Sequence, residues 1–374
     1  MEALNTFEKA QILSNASHYD SCGPKMCEVN INKGLGIYYA KAEHETCKIF
    51  KTLMANSCSF DCKYCINSNT CKKIKAKYEP EELANLFNYL HKNLDVKGLF
   101  ISSAIVGNPD KITEQMIDSV SIIRNKYNFN GYIHFKVLPG TSNYLIKQAS
   151  QLVNRMSINI EAPNKNVLSE LSSCKDYHND LLKKQAYISK LNLNSGQTTQ
   201  MIVNEFSTDK EILKMANWEY ENLKLKRVYY SAFHPVKGTP MENHKPEKIE
   251  RQNRLYNVDF LIREYNFKLE EFYEIMDNDN LPNEDPKLAL AKKYFDKPIE
   301  INEAEYDELI RIPGIGPKSA KAIINKTQIN KKQNTQKKEK ITKIEQLKNL
   351  GCKIEKALPF IKINGKRQTK LLEY

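Results

Sequence analysis

From about Lys48 onward, short apolar runs alternate with stretches whose apolar residues recur every three to four positions. The first run, residues 49–54, precedes a helical pattern in which Pro80 suits the opening turn and Leu83, Leu86, Phe87 and Leu90 share one face. A strand at 99–101 leads to a helix carrying Met116, Ile117, Val120 and Ile123. A strand at 132–138, a helix around 145–153, a strand at 156–161 and a long helical stretch continue the alternation. Strands at 198–203 and 227–233, with a helix between them, complete six repeats. Such alternation predicts βαβ units and a parallel sheet. Six units predict an α/β fold, an open partial (βα)6 barrel of the TIM type that stops short of the closed eight-stranded form.

The strand patterns also say what faces inward. In residues 156–161, Met156, Ile158 and Ile160 form an apolar row, and Ser157, Asn159 and Glu161 a polar one. Helices cover the outside of a parallel barrel, so the apolar row is expected to face them and the polar row the lumen. The same logic puts His134 and Lys136 inside on one strand, and Thr198 and Gln200 on another. Charges at the C-terminal ends of barrel strands are costly to bury unless they bind something, and barrel active sites lie at that end. An ion pair between Lys136 and Glu161 across the lumen is the plainer account of the same residues.

Residues 1–45 read as an N-terminal extension, 46–275 as the barrel, 276–300 as a linker and 301–374 as a small all-α module. No apolar run approaches the roughly 20 residues that span a bilayer, and the charged-then-apolar pattern of a secretory signal is absent, so no membrane partner is expected. Nine cysteines, an odd number, fit a reducing, cytoplasmic location better than a disulfide framework. The net charge of +12 is unevenly spread. Residues 311–374 hold 17 Lys and Arg against 4 Asp and Glu, whereas the preceding 310 residues are close to neutral. A field so concentrated is the footprint of a polyanion, most simply nucleic acid. A general preference for Lys as a solvated residue would enrich it everywhere.

Cys58, Cys62 and Cys65 stand in the spacing C-x3-C-x2-C, with Tyr64 just before the last. Three thiolates on one short loop can hold three irons of a [4Fe–4S] cube and leave the fourth open, whereas an ordinary electron-carrying cube takes four. Zinc is the alternative, with Cys71, His44 or Cys47 as a fourth ligand, but the second C-x2-C pair of many zinc sites is absent. Cys22, Cys27, Cys47 and Cys71 are enough for a second iron–sulfur cluster, or else fill small apolar positions as Cys174 and Cys352 are expected to do.

A second motif lies at 309–324, where an apolar helix end runs into Pro313-Gly-Ile-Gly316 and a helix opens at Pro317. Two glycines permit a tight turn where a side chain would collide. The amides of Gly314 and Gly316 and the following helix N-terminus suit a phosphate, with Lys318 and Ser319 adding contacts. Such contacts position DNA without reading its sequence. Residues 347–361 resemble a degenerate second copy, with Leu350-Gly351 and Ala357 in similar places.

The cysteine loop resembles the signature of the radical S-adenosylmethionine (radical SAM) superfamily, and the second motif resembles a helix-hairpin-helix. The chain as a whole resembles the family of DNA modification/repair radical SAM proteins linked to a uracil-DNA glycosylase-like partner. Shared segments include Ser17-His-Tyr-Asp20, the cysteine loop, residues 98–103, 131–140, 157–163 and 227–233, Gly238-Thr-Pro240, Asp285-Pro-Lys287 and the C-terminal hairpin. The resemblance implies a [4Fe–4S] cluster on Cys58, Cys62 and Cys65, whose open iron takes the amino and carboxylate groups of S-adenosylmethionine (SAM). It implies an external electron donor, and cleavage of the sulfonium to a 5′-deoxyadenosyl radical.

By the same resemblance, Ser102 and Ser103 fall where the SAM amino group is held, although the usual Gly-Gly-Glu is absent there. Asn159 and Glu161 fall near the ribose or methionine end, Lys136 near the carboxylate, and the backbone of Tyr64 near the adenine. DNA is the expected substrate, with Pro313, Gly314, Gly316, Lys318 and Ser319 as its contacts. An RNA or tRNA modifier, a DNA-bound redox sensor and a small-molecule radical SAM enzyme are the rival readings.

Overall fold

A computed structural model of the chain describes residues 4–17, 35–41, 46–327 and 339–367. The chain divides into two compact units, Met1–Gln252 and Asn253–Tyr374.

The first unit begins with helix α1 (Thr6–Ala16) and strand β1 (Ile37–Lys41), which pairs antiparallel with β2 (Thr46–Leu53). Helix α2 (Pro80–Leu94), β3 (Gly98–Ser102), α3 (Pro109–Asn125) and β4 (Tyr132–Lys136) follow. Then come α4 (Asn143–Ser150), β5 (Arg155–Ser157), α5 (Lys165–Leu171) and a π-helical turn, Tyr177–Leu182, that runs into α6 (Lys183–Ile188). Strand β6 (Gln197–Val203), α7 (Asp209–Leu223) and β7 (Arg227–Ala232) close the unit's sheet. The seven strands lie in sequence order and β2 to β7 are all parallel, so six strands joined by helical crossovers form the open barrel.

Local chemistry sets these boundaries. In α2, Pro80 occupies the first turn, Glu79 and Glu82 form a reciprocal cap, and Asp95 ends the helix in a left-handed conformation at φ 57°. Its buried face is Leu83, Ala84, Leu86, Phe87 and Leu90. Thr208 caps α7 in the same manner through Glu211.

Two local features depart from the sequence pattern. The N-terminal extension supplies β1, which joins the sheet as its antiparallel edge. The strand expected over 156–161 ends at Ser157. Its ladder is interrupted by a side chain: Thr199 Oγ donates to the Ile158 carbonyl at 2.8 Å and accepts from the Ile160 amide at 3.0 Å. Pairing resumes only at Glu161, which bridges Met201 with φ at +66°. A bulky residue in the left-handed region is strained, and such strain concentrates at functional sites.

Behind β6, the α7 residue Glu219 is fully buried and accepts from Gln185 Nε2 at 2.8 Å. Burial pushes its carboxyl up to about 8, with the Gln185 bond opposing. The folded value lies above the ordinary 4.5, so this group's contribution to stability is full below pH 4.5 and is lost as pH rises through 8. Urea melts between pH 5 and 8 are expected to lose up to about 1.4 kcal/mol per pH unit from this group. Glu219→Gln should flatten that dependence, and an unchanged slope would contradict the assignment.

The second unit contains most of α8 (Ile249–Tyr265), then α9 (Leu269–Tyr273), α10 (Pro286–Tyr294) and β8 (Ile299–Glu300). Two helix–turn–helix pairs follow, α11 (Tyr306–Arg311) with α12 (Pro317–Thr327), and α13 (Ile344–Asn349) with α14 (Ile354–Ala357). Strands β9 (Ile361–Ile363) and β10 (Lys366–Arg367) complete a three-stranded sheet with β8. Strands of two or three residues are too short to show alternation, so this sheet has no sequence signature. Residues 276–300, read as a linker, carry α10 and β8. No helix among the described residues is long and apolar enough to cross a membrane.

Candidate functional site

The C-terminal ends of β2 to β7 surround a cavity of about 640 Å³ within the first unit. Cys58, Cys62 and Cys65 all line it, on the loop that leaves β2. Cys62 is buried and the other two are half-buried. Main-chain amides approach the sulfurs: the Phe60 N–H donates to Cys58 Sγ at 3.4 Å and the Asn67 N–H to Cys65 Sγ at 3.3 Å. The Asn67 bond favours the thiolate form of Cys65. Burial and the neighbouring Cys62 nevertheless push the Cys65 thiol up to about 12.

Among the described residues, no three His, Cys, Asp or Glu side chains gather tightly enough to hold a single ion. Three thiols on one cavity wall are a donor set that fits an iron–sulfur cluster. Cys71 is engaged elsewhere, donating its thiol to the Gly238 carbonyl at 3.1 Å. Cys47 is half-buried in β2. His44, Cys22 and Cys27, and with the latter two half of the second-cluster set, lie outside the described residues.

Tyr64, Ser102, Ser103, Lys136, Asn159 and Glu161 all line the same cavity. The structure brings some of them into direct contact through Lys175, which the sequence reading missed. Lys175 Nζ lies 2.9 Å from Glu161 Oε1 and donates to Tyr64 Oη at 3.0 Å, and both charged side chains are about nine-tenths buried or more. Glu161 is thus paired with Lys175, where the plainer account of the sequence offered Lys136. Burial pulls the Lys175 ammonium down, but Cys62 and Glu161 outweigh it and hold it above its ordinary value. Burial, Glu161 and Cys62 push the Tyr64 phenol well up, so it stays protonated and can donate.

Ser103 is occupied: its hydroxyl donates to the Ala104 carbonyl at 2.7 Å and accepts from the Ala55 amide at 3.1 Å, tying the ends of β2 and β3 together. His134 lies deeper, with Nε2 2.8 Å from Ser157 Oγ and its ring edge-on to Phe100.

Asp61, inside the cysteine loop, explains how Lys175 is placed. Its carboxylate accepts from Ser172 Oγ at 2.7 Å, from Ser173 Oγ and N–H, and from the Cys174 N–H at 3.2 Å. Burial pushes the Asp61 carboxyl up, but the Ser173 and Ser172 bonds dominate and hold it far below the usual carboxylate range. Asp61 therefore straps segment 172–174, next to Lys175, to the cysteine loop. No spacing rule announces it.

In the second unit the turn Pro313–Gly316 joins α11 to α12. Gly314 has φ +86°, and a Cβ there would sit 2.3 Å from the Lys353 carbonyl oxygen. The Lys353 amide donates to the Gly314 carbonyl at 2.8 Å, locking the two helix pairs together. Pro313 is buried, Gly316 is half-buried beside the Tyr265 hydroxyl, and Lys318 is exposed at the start of α12. Ser319 is buried, with its hydroxyl against Gly351, so it packs the two helix pairs rather than facing solvent. Lys287 was also unforeseen: its ammonium donates to the Ile315 carbonyl at 2.6 Å and sits over the Tyr265 ring, and burial pulls it down to about 7.

No protein-family model and no curated protein matches the chain. Several solved structures do. Methylornithine synthase, PylB, is 10% identical, with 57% of this chain and 61% of that chain covered and a TM-score of 0.46. The FeFe-hydrogenase maturase HydG from Carboxydothermus hydrogenoformans is 11% identical over 57% and 51%, with a TM-score of 0.48. The radical S-adenosylmethionine methyltransferase TsrM from Kitasatospora setae is 10% identical over 52% and 38%, with a TM-score of 0.41. The chain spans less than two thirds of the length of each. Likenesses at these scores carry no functional argument.

Proposed function

We propose that this chain is a radical SAM enzyme that acts on DNA, in modification or repair. The observation that carries the reading is the set of three thiols, two of them met by main-chain amides, on the wall of one large cavity at the C-terminal end of a parallel barrel. Cys58, Cys62 and Cys65 would hold the [4Fe–4S] cluster, and Tyr64, Ser102, Lys136, Asn159, Glu161 and Lys175 would surround SAM. When bound, these groups would supply one-electron chemistry that abstracts hydrogen from the substrate, with an external donor providing the electron.

The chain's own part is positioning. Asp61 fixes segment 172–174, Lys175 fixes Glu161 and Tyr64, and the enclosing strands keep water away. The second unit is read as a helix-hairpin-helix module, supported by its glycine turn, the N-terminus of α12 and exposed Lys318. The excess of Lys and Arg after residue 310 supports a polyanionic partner, and DNA is favoured over RNA because such turns hold a duplex backbone. A base would have to leave the stack to enter a barrel lumen. A uracil-DNA glycosylase-like protein is the proposed protein partner, on the resemblance alone.

The test is 5′-deoxyadenosine formation by anaerobically reconstituted protein with SAM and reductant, in the presence of duplex DNA, structured RNA or neither. Duplex DNA is expected to stimulate turnover at least about tenfold, a barrier change of roughly 1.4 kcal/mol. Stimulation by RNA alone would move the substrate to RNA. Equal rates in all three would move it to a small molecule.

A further inference from the structure

Lys287 lies beneath the glycine turn of the second unit and is 9% exposed. Its ammonium donates to the Ile315 carbonyl at 2.6 Å and sits 4.8 Å from the centre of the Tyr265 ring. The Ile315 carbonyl and the Gly316 N–H belong to one planar trans peptide, so they point in opposite directions. An ammonium that grips the carbonyl from the buried side therefore turns the N–H the other way. That N–H makes no hydrogen bond among the described residues, and Gly316 is only half-buried.

A neutral side-chain amide could hold the carbonyl equally well, and burying an ammonium is costly. Burial pulls Lys287 down to about 7; Asp285, in the cap of the same helix, opposes the fall and Lys356 of α14 adds to it. Asp285 is itself shared with Lys356 at 3.5 Å, so it does not neutralise the buried charge. On the other elements packed against α10, Arg311 of α11 is paired with Glu271 of α9 at 2.8 Å, and burial pushes the Tyr265 phenol up. No histidine follows His244, so the ordinary source of a charge change near pH 7 is missing from this unit.

We infer that Lys287 is a positioning residue for a backbone phosphate of nucleic acid at this turn: it holds the Ile315 carbonyl so that the Gly316 N–H faces the phosphate, and it places a positive charge behind that amide. The inference rests on the helix-hairpin-helix reading of the second unit. A phosphate near the ammonium favours its charged form, and by reciprocity the charged form favours the phosphate. Binding therefore takes up a proton. Affinity is full below pH 7 and is lost as pH rises above it.

The experiment is fluorescence anisotropy of a labelled duplex oligonucleotide with the full chain, at one salt concentration, from pH 6 to 9. Wild-type affinity is expected to fall about tenfold over that range, as when one proton is held about tenfold more tightly in the complex. Lys287→Met carries no charge at any pH and should bind throughout with the weaker affinity. Asp285→Asn keeps a side-chain acceptor for the cap but removes the carboxylate that holds Lys287 up, so its midpoint should move to lower pH. This second variant decides the matter if Lys287→Met does not fold. A flat wild-type profile, a Lys287→Met profile that still falls, or an Asp285→Asn midpoint that stays in place overturns the inference alone. Wild-type protein that binds no duplex at any pH overturns it together with the reading it rests on.

Discussion

Cys62→Ala is expected to reduce iron in the reconstituted protein to background and to lower SAM cleavage at least about a thousandfold, a loss of roughly 4 kcal/mol in transition-state stabilisation. Cys62 is the most enclosed of the three cavity thiols, 7% exposed and with Sγ 3.7 Å from Ser172 Oγ. Two remaining thiolates are too few to hold a cube, and nearby Cys71 is already bonded to the Gly238 carbonyl. Cys174→Ala is the matched control: Cys174 is exposed, and although its thiol also bonds Asp61, the main-chain bond to Asp61 survives the substitution. Iron and absorbance measured side by side on the two variants check the prediction. Wild-type iron in Cys62→Ala would place the metal elsewhere.

Lys175→Met is the second large effect, and it is read in stability. Lys175 and Glu161 are 7% and 10% exposed at their side chains. Removing the cation strands a carboxylate in the cavity wall, at a cost of about 3–5 kcal/mol. Adding Glu161→Gln should recover much of that loss, because an uncharged amide needs no counter-charge and can still accept from Tyr64. Thermal melts of the two single variants and the double variant give the coupling directly. If the double variant is as unstable as the sum of the singles, the ion pair is not what holds this wall together. The cavity would also lose its rigid edge, so SAM affinity is expected to fall in Lys175→Met even at temperatures where it remains folded.

The parts of this site legible in the sequence are those confined to one short segment. Cys58, Cys62 and Cys65 reach one cavity wall because they lie on one short loop. The six βα repeats can be read because each strand and helix has its own period, and Lys136, Asn159 and Glu161 follow from alternation along single strands. Lys175 is invisible by these means. It lies in a polar loop 14 residues after Glu161, and bonds to the cysteine loop such as the Asp61 strap, 111 to 113 residues distant in sequence, bring it to the cavity.

The early end of β5 is likewise set by the Thr199 hydroxyl on the neighbouring strand. Ser319 reads as a phosphate contact from its place after the glycine turn. Its burial depends on α13 and α14, whose register against α12 no local pattern specifies. Side-chain bonds between distant segments decide these details, and periodicity does not encode them.

The central claim is that three cysteines hold a cluster with one iron open to SAM. Electron paramagnetic resonance of the anaerobically reconstituted, reduced protein, recorded with and without SAM, tests it most directly. The account predicts a [4Fe–4S] signal that shifts when SAM is added and that is missing from Cys58→Ala. A four-iron signal indifferent to SAM, or a protein that takes up one zinc and no iron–sulfur cluster, would contradict it.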